Sequence, residues 1–84
     1  MIGIDEARKQ AAKFAKRRWC RLNGSESRYK SEWCFDTQDP SGRPVARNLP
    51  FILVDMGTGA VRDVYLPSDE GFRILHGKTP LEED

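Results

Sequence analysis

Histidine is nearly absent from this chain: its single copy, His76, stands in a polar terminal segment beside Gly77. Hydrolytic or transfer chemistry needs a nucleophile, a base and a group that orients them. Only two cysteines, Cys20 and Cys34, offer a thiol, and no motif joins either to His76. Zinc sites use closely spaced Cys/His pairs that chelate from one turn. Thirteen residues separate Cys20 from Cys34, so that spacing is missing. The paired carboxylates Asp69-Glu70 and Glu82-Glu83-Asp84 have no apolar neighbours to raise a pKa, and the latter reads as a solvated tail. The expectation is a protein that is not an enzyme, with no catalytic, cofactor-binding or metal-ligating set.

Long apolar runs are also missing. No stretch approaches the ~20 residues of a membrane span, and "MIGIDEARKQ" lacks the basic and apolar regions of a signal peptide. Two cysteines make no disulfide framework, so free thiols in a reducing compartment are expected. The reading is a cytoplasmic protein without a membrane partner. At 84 residues there is room for a single small domain, residues 1–84, with no internal repeat.

Net charge is close to zero, at +1, but it is unevenly spread. Residues 1–28 hold eight Lys/Arg against three acids; residues 29–84 hold six against ten. Such asymmetry marks either a solvated helix face or a basic surface for an acidic protein or a nucleic acid.

What is present is periodic. Ala7, Ala11, Phe14 and Ala15 recur at helical spacing, and Arg8, Lys9, Lys13, Lys16 and Arg17 take the remaining face. A helix over about 5–19 is predicted, with Asp5 as N-cap, Asn23-Gly24 as its left-handed stop, and Phe14 with Trp19 as larger anchors. The small alanines suit close approach to a sheet. "NGSESR", 23–28, reads as a polar connector. "YKSEWCFDT" alternates, placing Tyr29, Ser31, Trp33 and Phe35 on one face of a strand over about 29–37. A Pro/Gly-rich loop follows. Phe51 to Val54, in a strand over about 49–56, reads as central and covered on both faces. A strand over about 60–66 puts Val64 and Leu66 on one face and Val61 and Tyr65 on the other. For 67–75, Gly71 favours a last short strand over a helix, and 76–84 reads as a polar tail.

Between the last two strong strands lies "DMGTG". A phosphate-holding loop needs backbone N–H groups converging at a helix start, usually with a following Lys and Ser/Thr. Here apolar and β-branched residues follow, and Asp55, Gly57 and Gly59 supply what a hairpin turn needs. The stretch reads as a turn.

Three segments resemble a known family. "IDEARKQAAKFA", "EWCFDT" and "NLPFILVDMGTGAV", the last carried by Asn48, Pro50, Phe51, Ile52, Leu53, Asp55 and Gly59, are similar to YrhB-like proteins and the immunity protein 35 group over residues 2 to 62. The "VDMGTG" hairpin also resembles that of peptidase-propeptide (PepSY-like) domains. The family resemblance implies a non-enzymatic bacterial protein that binds another protein, as an antidote to a toxin or as a chaperone-like adaptor.

The architecture expected is α+β: an N-terminal helix on one face of a three- to four-stranded antiparallel sheet, with a core drawn from Ala11, Phe14, Ala15, Trp33, Phe35, Phe51, Leu53 and Val61. Such a sheet leaves edges and one face open for strand addition, partner docking or homodimerisation. The expected interface is the basic face, Arg8, Lys9, Lys13, Lys16 and Arg17, or a sheet edge, holding another protein. The alternative is a small nucleic-acid-binding protein that uses the same helix, with Trp19 stacked on a base.

Overall fold

A computed structural model describes residues 1–81; the acidic run Glu82-Glu83-Asp84 lies outside them. The element order is α1 (Ile4–Arg17), β1 (Arg21–Tyr29), β2 (Glu32–Gln38), β3 (Phe51–Asp55), β4 (Val61–Val64), α2 (Asp69–Gly77) and β5 (Thr79–Pro80). The strands form one antiparallel sheet in the order β4-β3-β2-β1-β5. The α+β class and the N-terminal helix on the sheet are as expected, but the sheet has five strands rather than three or four.

Helix α1 forms on the alanine stripe. Ala7, Ala11 and Ala15 are fully buried against Phe35, Ile52 and Val54, and Phe14 and Trp33 pack at the margin half-buried. Methyl-sized side chains let the helix axis come close to the sheet. The N-cap is Gly3, not Asp5, which falls in the first turn where its charge suits the helix dipole. The N-terminus is tied down by the Ile2 N–H, which donates to the Met56 carbonyl at 2.7 Å.

The end of α1 departs from expectation. Helical geometry stops at Arg17, and Trp19 takes the left-handed conformation (φ 59°). Trp19 N–H donates to Lys16 O at 3.2 Å and Cys20 N–H to Ala15 O at 3.1 Å, the two bonds of a Schellman motif. Asn23-Gly24 is therefore not the helix stop; Gly24 (φ 94°) sits at the irregularity that interrupts the β1–β2 register between Leu22 and Glu26.

The segment read as a connector is strand β1. Only Ser27 and Tyr29 in it are buried, so it carries no apolar alternation to betray it; pairing to β2 holds it in place. A two-residue turn at Lys30-Ser31 separates Tyr29 from the next strand, which begins at Glu32. That turn breaks the predicted phase. Trp33 and Phe35 face α1, whereas Tyr29 joins Cys34, Phe51, Leu53, Val64 and Ile74 on the opposite face. β3 is buried on both sides, as its unbroken apolar run implies, although β2 is the middle strand. Val61 and Val64 face opposite sides as predicted.

Residues 67–75 correct a second expectation, because α2 is a helix. Ser68 caps it, its Oγ accepting from Gly71 N–H at 2.9 Å. Gly71 does not interrupt the helix but lets it seat. A Cβ there would meet Tyr65 O at 2.8 Å and Leu66 Cδ2 at 2.9 Å. Ile74 then covers the second face of the sheet, so the face expected to be open carries a helix. Of the polar tail expected over 76–84, His76 and Gly77 finish α2 and Thr79–Pro80 pairs with Arg28 and Ser27 of β1, while 82–84 lie outside the described residues.

Candidate functional site

The glycine-containing turn can be settled first. Asp55 Oδ1 accepts from Gly57 N–H at 2.8 Å and Thr58 N–H at 2.9 Å, and Gly59 N–H donates to Asp55 O at 2.9 Å. Ala60 N–H goes to Thr58 Oγ1. The N–H groups that would cradle a phosphate are used by the turn itself. Those hydrogen bonds hold the Asp55 carboxyl below its ordinary range.

The thiols are buried on opposite faces of the sheet. Burial pushes Cys34 up to about 12 and also raises Cys20, so both stay protonated near neutral pH, the opposite of what a nucleophile requires. His76 is exposed on α2. Among the described residues, no group of three or more His, Cys, Asp or Glu is placed to hold a metal ion. One shallow depression of about 140 Å³ lies beside β5, lined by Ser25, Glu26, Ser27, Asp36, Lys78 and Pro80. The three charged side chains of its lining are already paired, Lys78 Nζ with Asp36 at 2.7 Å and Glu26 with Arg8.

Charge is the informative feature. Arg8 pairs with Glu26 and Asp5, Arg18 with Asp63, Arg47 with Asp39, Arg62 with both Glu32 and Glu70, and Lys78 with Asp36. These pairs engage seven of the ten acids among the described residues. The acidity of residues 29–81 is thus largely spent inside the fold. Lys9, Lys13, Lys16 and Arg17 have no ion-pair partner among the described residues and are exposed. Their spacing of four, three and one puts them on one arc of α1, opposite the buried alanines.

Of the five basic residues expected at an interface, those four stay together and, among the described residues, unpaired. Arg8 is diverted: its guanidinium staples α1 to β1 through Glu26. Pairing with Glu26 and Asp5 holds it more firmly protonated.

Trp19 was misplaced by periodicity. Four residues beyond Ala15, it would join the buried stripe if the helix continued. Because the helix ends first, the indole points outward and is 80% exposed. The carbonyl of Trp19 accepts from Arg47, which reaches over from the 39–48 loop and also meets Asp39 at 3.2 Å. That loop is built on Asp39, whose carboxylate accepts from the Ser41 hydroxyl at 2.6 Å and its N–H at 3.0 Å. The same loop carries Arg43, exposed and unpaired among the described residues. Arg21 lies against the Gln38 side-chain amide, which accepts from it at 2.8 Å once the amide is oriented with its oxygen toward the guanidinium. On the other flank, Arg18 lies over the Phe14 ring at 4.5 Å and pairs with Asp63 at 2.7 Å. Tyr65, two residues after Asp63 and so on the same side of the chain, is 39% exposed. The surface therefore runs from the outer face of α1 over Trp19 to the 39–48 loop. The adjacency Lys16-Arg17-Arg18-Trp19 was its signal in the sequence; the contribution of Arg43 and Arg47 had none.

No protein-family description, curated protein or solved structure matches this chain. No helix of the described residues is long and apolar enough to cross a membrane.

Proposed function

We propose that this chain is a non-enzymatic protein-binding module of the immunity or adaptor type, which holds an acidic protein partner against the outer face of α1. One observation carries the reading. Among the described residues, Lys9, Lys13, Lys16 and Arg17 remain exposed and without ion-pair partners, while seven of the ten acids are paired off. Unpaired charge of one sign on one rigid face steers a partner of the other sign and selects against the wrong one. The resemblance to YrhB-like proteins and the immunity protein 35 group points the same way, toward a bacterial antidote or chaperone-like protein acting in the cytoplasm. The sheet edges are lesser candidates, for a client strand or a second copy, because β4 and β5 are short.

The test is a tagged pull-down from bacterial lysate, with and without nuclease, using the natural chain and the variant Lys9→Glu/Lys13→Glu/Arg17→Glu. One stoichiometric protein, kept after nuclease and lost from the variant, is the expected result. Equal capture by both chains overturns the assignment of the interface to α1. Material that disappears with nuclease, and whose binding falls steeply with salt, moves the conclusion to the alternative, a nucleic-acid binder using the same helix.

A further inference from the structure

We infer that Trp19 is the anchor of this interface, seated on binding in an apolar socket of the partner protein that is rimmed by carboxylates. The inference rests on the protein-binding reading above. Trp19 occupies the position just past a helix end where the backbone is left-handed (φ 59°), and there glycine or asparagine meets least resistance. Its side chain belongs to neither buried cluster and is 80% exposed. The fold thus supplies no reason for tryptophan, and the backbone supplies one against it. A strained residue that packing does not explain points to function.

The backbone that carries the indole is fixed. The Trp19 backbone N–H donates to Lys16 O, the Trp19 carbonyl accepts from Arg47, and the residues on either side are fixed: Arg18 by Asp63, Cys20 by burial. A backbone already fixed has little freedom left to lose on binding, so the ordering cost falls on the two side-chain torsions of the indole. Tryptophan and arginine are the residues that dominate binding energy when centred in an interface. Lys16 and Arg17, which directly precede Arg18-Trp19 and are exposed and unpaired among the described residues, fit a carboxylate rim, and the loop that reaches Trp19 through Arg47 also carries the exposed Arg43. A single-stranded nucleic acid fits less well. Its binding surfaces are continuous basic grooves with several stacking aromatics, whereas Asp39 and Asp63 flank Trp19 and have already taken Arg47 and Arg18.

The experiment is selection of a random-peptide phage library on three immobilised full-length chains: the natural one, Trp19→Gly, and the Lys9→Glu/Lys13→Glu/Arg17→Glu variant. Thermal melts accompany it, and Trp19→Gly is expected to melt no lower than the natural chain. Peptides combining acids with a large apolar residue should be enriched, and Trp19→Gly should bind them at least about thirtyfold more weakly. Binding to Trp19→Gly within about twofold of the natural chain, with loss in the charge-reversed variant, overturns the anchor and leaves the protein-binding reading standing. Equal binding to all three chains overturns that reading as well. A parallel titration with oligothymidylate uses Trp33→Phe, which leaves Trp19 as the only tryptophan. Quenching there that weakens steeply with salt, without enrichment of acidic peptides, overturns the choice of a protein partner.

Discussion

The indole Nε1 of Trp33 donates to the carbonyl of Ile2 at 2.9 Å, joining the middle strand of the sheet to the segment that precedes α1. Ile2 in turn reaches the hairpin turn: a Cβ added at Gly59 would meet its Cδ1 at 2.4 Å. One half-buried tryptophan thereby fixes where the first helix begins. Trp33→Phe keeps most of the packing and loses the hydrogen bond, an expected loss of about 1 kcal/mol in urea denaturation. Because Trp33 is only half-buried, Trp33→Ala should cost about 2–3 kcal/mol, below the 3–5 of fully buried aromatics. Equal stability of the natural chain and Trp33→Phe would show the hydrogen bond to be dispensable.

Gly71 gives a sharper test of packing. In an open helix, glycine to alanine gains about 1 kcal/mol. At Gly71 the new methyl would stand 2.8 Å from Tyr65 O and 2.9 Å from both Leu66 Cδ2 and Ser68 Oγ. The carbonyl is backbone and cannot swing away. Gly71→Ala is therefore expected to destabilise by about 1–3 kcal/mol, as overpacking does, seen as a lower denaturation midpoint. A more stable variant would mean that α2 shifts freely on the sheet.

The same residue shows why part of the fold was illegible in the sequence. α1, β2 and β4 declare themselves because their apolar residues recur with the period of the element, and β3 because its apolar run is short and unbroken. β1 does not, since Arg21-Leu22-Asn23-Gly24-Ser25-Glu26 is almost wholly polar and is a strand only because β2 pairs with it. α2 hides behind Gly71, a helix-weakening residue chosen for closeness. At the candidate site, the basic arc of α1 was visible as spacing. What spacing alone cannot give is which cations stay free. Arg8 and Lys9 are neighbours in sequence, but only Arg8 meets a carboxylate eighteen residues away. Trp19 was misread for a related reason: helical phase applies only while the helix lasts.

The buried thiols predict an alkaline limit. Cys34 has a folded pKa raised to about 12 by burial, against about 8.5 when unfolded. The folded state thus holds this proton more tightly. Its contribution is intact below about pH 8.5 and is lost as pH rises toward the folded value. Cys34→Ala should flatten the fall in stability between about pH 8.5 and 11 in urea titrations. Disulfide-exchange reagents should label both cysteines of the natural chain only as fast as it opens. Labelling at the rate of a free thiol in the folded protein would contradict the burial of Cys20 and Cys34.

Asp55 predicts the opposite limit. Its carboxylate accepts the Gly57 and Thr58 N–H groups and is held below its ordinary pKa by the Thr58 bond first and the Gly57 bond next. The unfolded chain therefore binds this proton more tightly than the folded one. Stability from the turn is present above the unfolded value of about 3.9 and drains away as pH falls through the folded value. Asp55→Ala should lower the urea midpoint at pH 7, and the gap to the natural chain should close as both are acidified. A gap that stays constant from neutral to acid would mean that Asp55 acts through the shape of the turn and not through its charge.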